Sequence, residues 1–108
     1  MEIKLTTTGR KTGKDRTTTL YAWEHDGDLV VVGSWGGRPR DPDWAGNLRA
    51  NATASVKHGK DRFEVKSREL DGRERERAWE VVVEHFPLYA SYQKKTTRQI
   101  PLFALSRT

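Results

Sequence analysis

Between Gly9 and Arg16 the chain reads Gly-Arg-Lys-Thr-Gly-Lys-Asp-Arg, four cations and two glycines in eight residues. Glycines let a backbone approach a ligand closely, while guanidinium and ammonium groups meet anionic oxygens through charge-assisted hydrogen bonds. The chemistry this pattern serves is capture of phosphate or carboxylate. It is not a nucleotide P-loop: the glycine spacing is one residue short, and Asp15 stands where Mg²⁺ binding requires Ser or Thr. The same composition also suits a solvated basic hairpin loop.

A second stretch, Gly33-Ser34-Trp35-Gly36-Gly37-Arg38-Pro39-Arg40, follows the apolar run from Leu29 to Val32. Small residues at a strand end let a flat ring lie against the backbone, with amide N–H groups free for its carbonyls. An ordinary Gly-rich turn has the same composition, although two Gly/Arg loops in so short a chain favour one shared ligand. Phe86, Tyr89 and Tyr92 recur every third residue, which sets the two tyrosines on neighbouring positions of one helical face. A phenol with an ordinary pKa of about 10 is neutral at pH 7 and donates a hydrogen bond or a proton; plain core packing of the rings is the alternative. His25, His58 and His85 fit no metal spacing, and no metal site is expected. Ser34 lacks the Gly-x-Ser-x-Gly context of a hydrolase nucleophile. The carboxylate pairs Asp41/Asp43 and Glu74/Glu76 fall in capping or solvated-helix settings and are assigned no catalysis.

Composition narrows the rest. With no Cys, thiolate metal sites, disulfide scaffolds and Cys nucleophiles are excluded. The longest apolar run has four residues against the roughly 18–20 of a membrane span, and no signal peptide is evident near Met1. A cytoplasmic protein is expected, peripheral to a membrane at most. The net charge of +5 and a pI near 9.7 point to an anionic partner. Only 21 of 108 residues are Leu, Ile, Val or Phe, and mean hydropathy is −0.86, near the composition of disordered chains. Four Trp, three Tyr and three Phe argue instead for a folded domain with a thin core.

The elements that must position these groups follow from patterning. Residues 6–16 read as a loop. Residues 17–24 and 29–33 are strands joined at Asp26-Gly27, a pair suited to a tight hairpin. After a loop at 34–43, Asp41 as N-cap and Pro42 at the first helical position open a short helix to about Ala50, with Trp44 and Leu48 on one face. Residues 53–58 and 62–70 form a second hairpin. Asp71 with Glu74 resembles a capping box before a main helix bearing Ala78, Trp79, Val82, Val83 and Phe86. Pro87 interrupts it, Leu88 to Lys95 add further turns, and Ile100 to Ser106 form a last strand with Pro101 at its start. Residues 1–108 are thus expected to be one α+β, mainly β domain, a small antiparallel barrel or sheet with packed helices.

Taken in order, the motifs resemble the deazaflavin (F420)-dependent nitroreductase family of the flavin-binding split β-barrel superfamily. The matching segments are Leu5 to Arg16, Leu20-Tyr21, Gly33-Ser34-x-Gly36-Gly37, Pro42-x-Trp44-x-x-Asn47-Leu48, Tyr89-x-x-Tyr92-Gln93 and Arg98-x-Ile100-Pro101. The resemblance implies a split barrel binding coenzyme F420, a polyanion with a planar deazaflavin head, and hydride transfer to a quinone, enone or nitroaromatic acceptor. It implies that Arg10, Lys11 and Arg16 hold phosphate and tail, with Lys14 assisting at the mouth. Thr19, Leu20 and Tyr21 then line the path, Ser34, Gly36 and Gly37 meet the deazaflavin, and Trp44 and Asn47 flank the bound cofactor from the short helix. Tyr89 and Tyr92 are implied as proton donors, with Ser34 bonding substrate or cofactor. The sequence departs from the pattern at Phe86, where relatives can carry Tyr, and at Thr19, where a proline is frequent. Only five residues precede Thr6, as in a compact member or a trimmed chain. Two other readings stay open: a non-catalytic F420 carrier and a small basic nucleic-acid-binding barrel. Against the latter, sign-alternating charges at residues 73–77 resemble a solvated face rather than a nucleic-acid stripe.

Overall fold

The computed structural model describes residues 1–108. Six antiparallel strands close into a barrel in the order β1-β2-β3-β6-β5-β4, with three helices. The strands are β1 Glu2–Thr8, β2 Asp15–His25, β3 Asp28–Val32, β4 Thr53–His58, β5 Asp61–Glu69 and β6 Leu102–Arg107. Helix α1, Asp43–Ala50, lies between β3 and β4; α2, Gly72–His85, and α3, Leu88–Lys94, lie between β5 and β6. The expected barrel with packed helices is what forms.

Alternation along the strands builds two cores. Ile3, Leu5, Val31, Val56, Val65, Phe103 and Leu105 point into the barrel, where Ala45 and Leu48 of α1 join them. Val30, Val32, Leu102 and Ala104 point outward and are covered by Ala78 and Val82 of α2 and Tyr89 of α3. Strands β3 and β6 are therefore buried on both faces, which explains their continuous apolar runs. The remaining strands keep one face in water. At the β2–β3 hairpin Asp26 and Gly27 both take positive φ, 51° and 81°, as a type I′ turn requires.

Three local expectations are corrected. Residues 6–16 are not one loop: Thr6–Thr8 belong to β1 and Asp15–Arg16 to β2, leaving a turn at 9–14. The β-branched threonines pair in register, Thr6 with Thr17, their hydroxyls 2.8 Å apart, and Thr7 is buried. Asp41 does not cap α1. Pro42 holds the N-cap position, and the Asp41 carboxylate instead accepts from Arg49 and Arg98. The capping box at Asp71 does not form either; Glu74 pairs with Arg68, and Gly72 enters the helix with φ 54°.

Candidate active site

One cleft of about 820 Å³ lies between the turn at 9–14, the start of α1, the loop after β3 and α3. Its cationic end is built on the 9–14 turn. Gly9 N–H donates to the Lys14 carbonyl and Gly13 N–H to the Gly9 carbonyl, both at 2.8 Å, and Gly13 takes φ 74°. This folds the turn tightly and leaves Arg10, Lys11 and Arg16 on the cleft wall. Arg10 is the best anchored of the three. Its guanidinium donates to Asn47 Oδ1 at 2.9 Å and to the Asp43 carbonyl at 3.1 Å, while its own backbone N–H also reaches Asn47 Oδ1. Asn47 is buried and donates in turn to Thr7 Oγ1 at 3.1 Å, so the barrel interior fixes the arginine. Gly46 provides the seat: a Cβ there would stand 2.9 Å from Arg10 Cζ. Lys11 and Arg16 have no carboxylate within 4.0 Å, so their charge is uncompensated within the chain.

The opposite end is aromatic. Tyr89 is 7% exposed, and its phenol oxygen accepts from Trp23 Nε1 at 3.1 Å. Burial pushes its pKa up, the Trp23 hydrogen bond opposing that shift. The hydroxyl keeps its own hydrogen, and no group in the chain accepts it. Phe86 and Tyr92 pack beside Tyr89 at centroid separations of 4.8 and 6.5 Å. Trp44 stacks edgewise on Phe103 at 5.8 Å, which sets its ring at the cleft from α1.

Between the two ends runs the loop after β3. Arg98 organises it: Nε donates to the Arg38 carbonyl, Nη1 to the Gly33 carbonyl and to Asp41, and Nη2 to the Ser34 carbonyl, all within 2.8–3.1 Å. Ser34 is thereby held at the wall, nearly buried, with no hydrogen bond within the chain engaging its hydroxyl.

Of the residues singled out from sequence, Arg10, Lys11, Arg16, Thr19, Leu20, Tyr21, Ser34, Gly36, Trp44, Asn47, Tyr89 and Tyr92 all line this one cleft. Two do not. Lys14 sits in the turn but off the wall, its backbone bonded to Gly9 and to Thr12 Oγ1. Gly37 is buried behind the loop, where a Cβ would lie 2.7 Å from the Tyr92 carbonyl; its part is close backbone packing on α3. Sequence reasoning gave no role to Arg98, although it stood in a quoted motif, or to Trp35, which also lines the cleft.

The profile of the F420H(2)-dependent quinone reductase family matches residues 2–107. The chain belongs to this family. It is 39% identical over 109 residues to an F420H(2)-dependent quinone reductase of Mycobacterium tuberculosis (strain H37Rv), covering 97% of this chain and 72% of that protein. A solved F420-H2 dependent reductase superposes with a TM-score of 0.87 at 43% identity, covering 97% of this chain and 93% of that one. Another solved chain, described as a domain-swapped dimer, matches equally well and is covered to 79%. The heme storage protein HutZ of Vibrio cholerae, at 14% identity and a TM-score of 0.68, shares the fold alone. Membership in the F420H(2)-dependent quinone reductase family supports the oxidoreductase reading over the nucleic-acid-binding one.

Proposed function

We propose that the cleft binds coenzyme F420 and a quinone together, making the chain an F420H₂-dependent quinone reductase. The donor set fits the cofactor: uncompensated cations at one end suit a phosphate and carboxylate tail, and a Gly/Ser loop among aromatic rings suits a planar head. When bound, the coenzyme supplies a hydride, and with one proton this converts a quinone to a hydroquinone. Arg10, Lys11 and Arg16 hold the anionic tail, and Thr19, Leu20 and Tyr21 of β2 form the floor beneath it. Ser34, Gly36 and Trp44 orient the head, and Asn47 flanks the cofactor by holding Arg10 in place.

Tyr89 holds the proton at its Oη. Because burial disfavours the phenolate, the group is neutral at physiological pH and offers a hydrogen bond to oxygen charge developing on the acceptor. The Trp23 N–H compensates the phenol oxygen if its proton moves. Tyr92, half-buried beside it, closes the wall and is the second donor.

The observation that carries this reading is the convergence of unpaired cations, the Ser34 loop and the Trp23-bonded Tyr89 on one cleft. The test mixes the protein with reduced F420 and menadione and follows return of the oxidised deazaflavin absorbance, with NADPH and FMN as controls. Turnover with reduced F420 but not with NADPH or FMN supports the reading; the absence of both F420 binding and turnover sinks it. No helix is long and apolar enough to cross a membrane, and a lipid-soluble quinone would be met at a membrane surface by a cytoplasmic protein, a contact that vesicle sedimentation measures.

A further inference from the structure

We infer that Trp35 is a specificity-determining residue, the wall on which a flat, electron-poor acceptor ring stacks; this rests on the quinone-reductase reading of the cleft. Trp35 takes φ 42°, a left-handed state that glycine enters freely and a bulky side chain rarely adopts. The next two residues, Gly36 and Gly37, continue the left-handed turn at 63° and 80° without steric cost. The indole is 37% exposed and belongs to neither hydrophobic core. Apart from the Arg38 and Arg40 guanidiniums over it, the ring packs on little, yet the fold holds it in an unfavoured backbone state, a conflict that in native proteins marks functional positions.

Its surroundings say what it serves. The turn is fixed from beneath by Arg98, which binds the carbonyls of Gly33, Ser34 and Arg38, and it packs through Gly37 on the backbone of Tyr92. Trp35 thus stands beside the aromatic end of the cleft, where Tyr89 offers its proton. The guanidinium groups of Arg38 and Arg40 lie 4.6 and 5.4 Å from the ring centroid. Both guanidiniums lie over the ring and neither arginine lines the cleft, so the acceptor meets the indole on the part that faces the cleft. There an electron-rich ring attracts an electron-poor one face to face. Aliphatic enones present no such face.

The test uses Trp35→Gly, which removes the ring while suiting the positive φ, and Trp35→Phe, which keeps a smaller ring. With Trp35→Gly, KM for menadione is expected to rise about tenfold, the loss of one stacked aromatic contact, with kcat, F420 affinity and KM for a small aliphatic enone changing less than about twofold. Trp35→Phe falls between. The thermal midpoint of Trp35→Gly equals or exceeds that of the parent chain, and menadione quenches less tryptophan fluorescence in Trp35→Phe than in the parent. An unchanged menadione KM in an active Trp35→Gly enzyme overturns the inference, as does an F420 affinity that falls in step with KM. A parent chain that binds no F420 would instead fail the quinone-reductase reading itself.

Discussion

Replacing Arg98 with alanine removes one guanidinium and orphans four acceptors at once: the carbonyls of Gly33, Ser34 and Arg38 and one oxygen of Asp41. The side chain is 14% exposed, so these bonds form largely out of water. A hydrogen bond to a charged group contributes about 1.5–3 kcal/mol, but four bonds from one side chain do not add. Two features reduce the loss: Asp41 keeps its 2.7 Å bond to Arg49, and water can reach carbonyls at a cleft wall. We therefore expect a loss of about 2–4 kcal/mol, a large part of the roughly 5–15 kcal/mol of a domain this size. In a thermal melt this is a fall of about 10–25 °C.

Arg98→Lys separates charge from geometry. An ammonium can meet Asp41 or a carbonyl but cannot fork across the loop, so it recovers about 1 kcal/mol at most. Urea titrations of both variants, with Asp41→Asn to complete a double-mutant cycle, measure the coupling; about 1–2 kcal/mol is expected. F420 titration should show weaker binding in both Arg98 variants, since the Ser34 loop is then unfixed. A destabilisation under about 0.5 kcal/mol together with unchanged F420 affinity would refute the assignment of Arg98 as organiser of the loop.

Lys11→Ala should lower F420 affinity about five- to tenfold, and the difference from the parent should shrink as salt is raised, which isothermal titration at two ionic strengths checks. Gly46→Ala places a methyl against the Arg10 guanidinium, whose free end swings away; helix propensity improves by about 0.8–1 kcal/mol while F420 binding weakens about fivefold, so melting and titration move in opposite directions. Tyr89→Phe should slow menadione turnover about a hundredfold with F420 affinity nearly intact, measured by steady-state kinetics and titration. Burial raises the Tyr89 pKa above its ordinary 10.0, so the stability it contributes is full below about pH 10 and is lost as pH rises through the higher folded-state value. Melts of the parent and Tyr89→Phe across that range should converge at the alkaline end.

The sequence disclosed elements wherever burial left a one-dimensional trace. The runs Leu29–Val32 and Leu102–Leu105 are apolar without alternation because helices cover the outer barrel face there. Strand β1 left a fainter trace: Ile3, Leu5 and Thr7 point inward, but Glu2, Lys4 and the polar character of Thr7 conceal the period in a charged segment. Closure of β1 on β4 joins residues some fifty positions apart and has no local signature. The same distinction governs the cleft. Cations and glycines of the 9–14 turn announce themselves by composition, whereas Arg98 acts on Arg38 across sixty positions and becomes visible only when the chain is folded. Asp41 and Asp71 show the limit of capping signals, since an arginine brought near by tertiary structure claims the carboxylate expected at each helix start, Asp41 directly and Glu74 in the case of Asp71.

The low hydrophobic content is explained by where the polar residues are used. Leu, Ile and Val fill the barrel and the layer under α2 and α3, leaving few strong hydrophobes for the cleft loops. Those loops are instead held by specific polar bonds, Arg98 to the Ser34 loop and Asn47 to Arg10 and Thr7. Ion pairs with arginine engage five of the fifteen acids: Asp41 and Glu69 pair with Arg49, Asp28 and Glu74 with Arg68, and Asp43 with Arg10. Lys11 and Arg16 are among the cations left without a carboxylate partner, and both line the cleft. A polyanionic cofactor seated there neutralises a repulsion that the apo chain carries alone, so its binding stabilises the fold by the same contacts that position it for reaction.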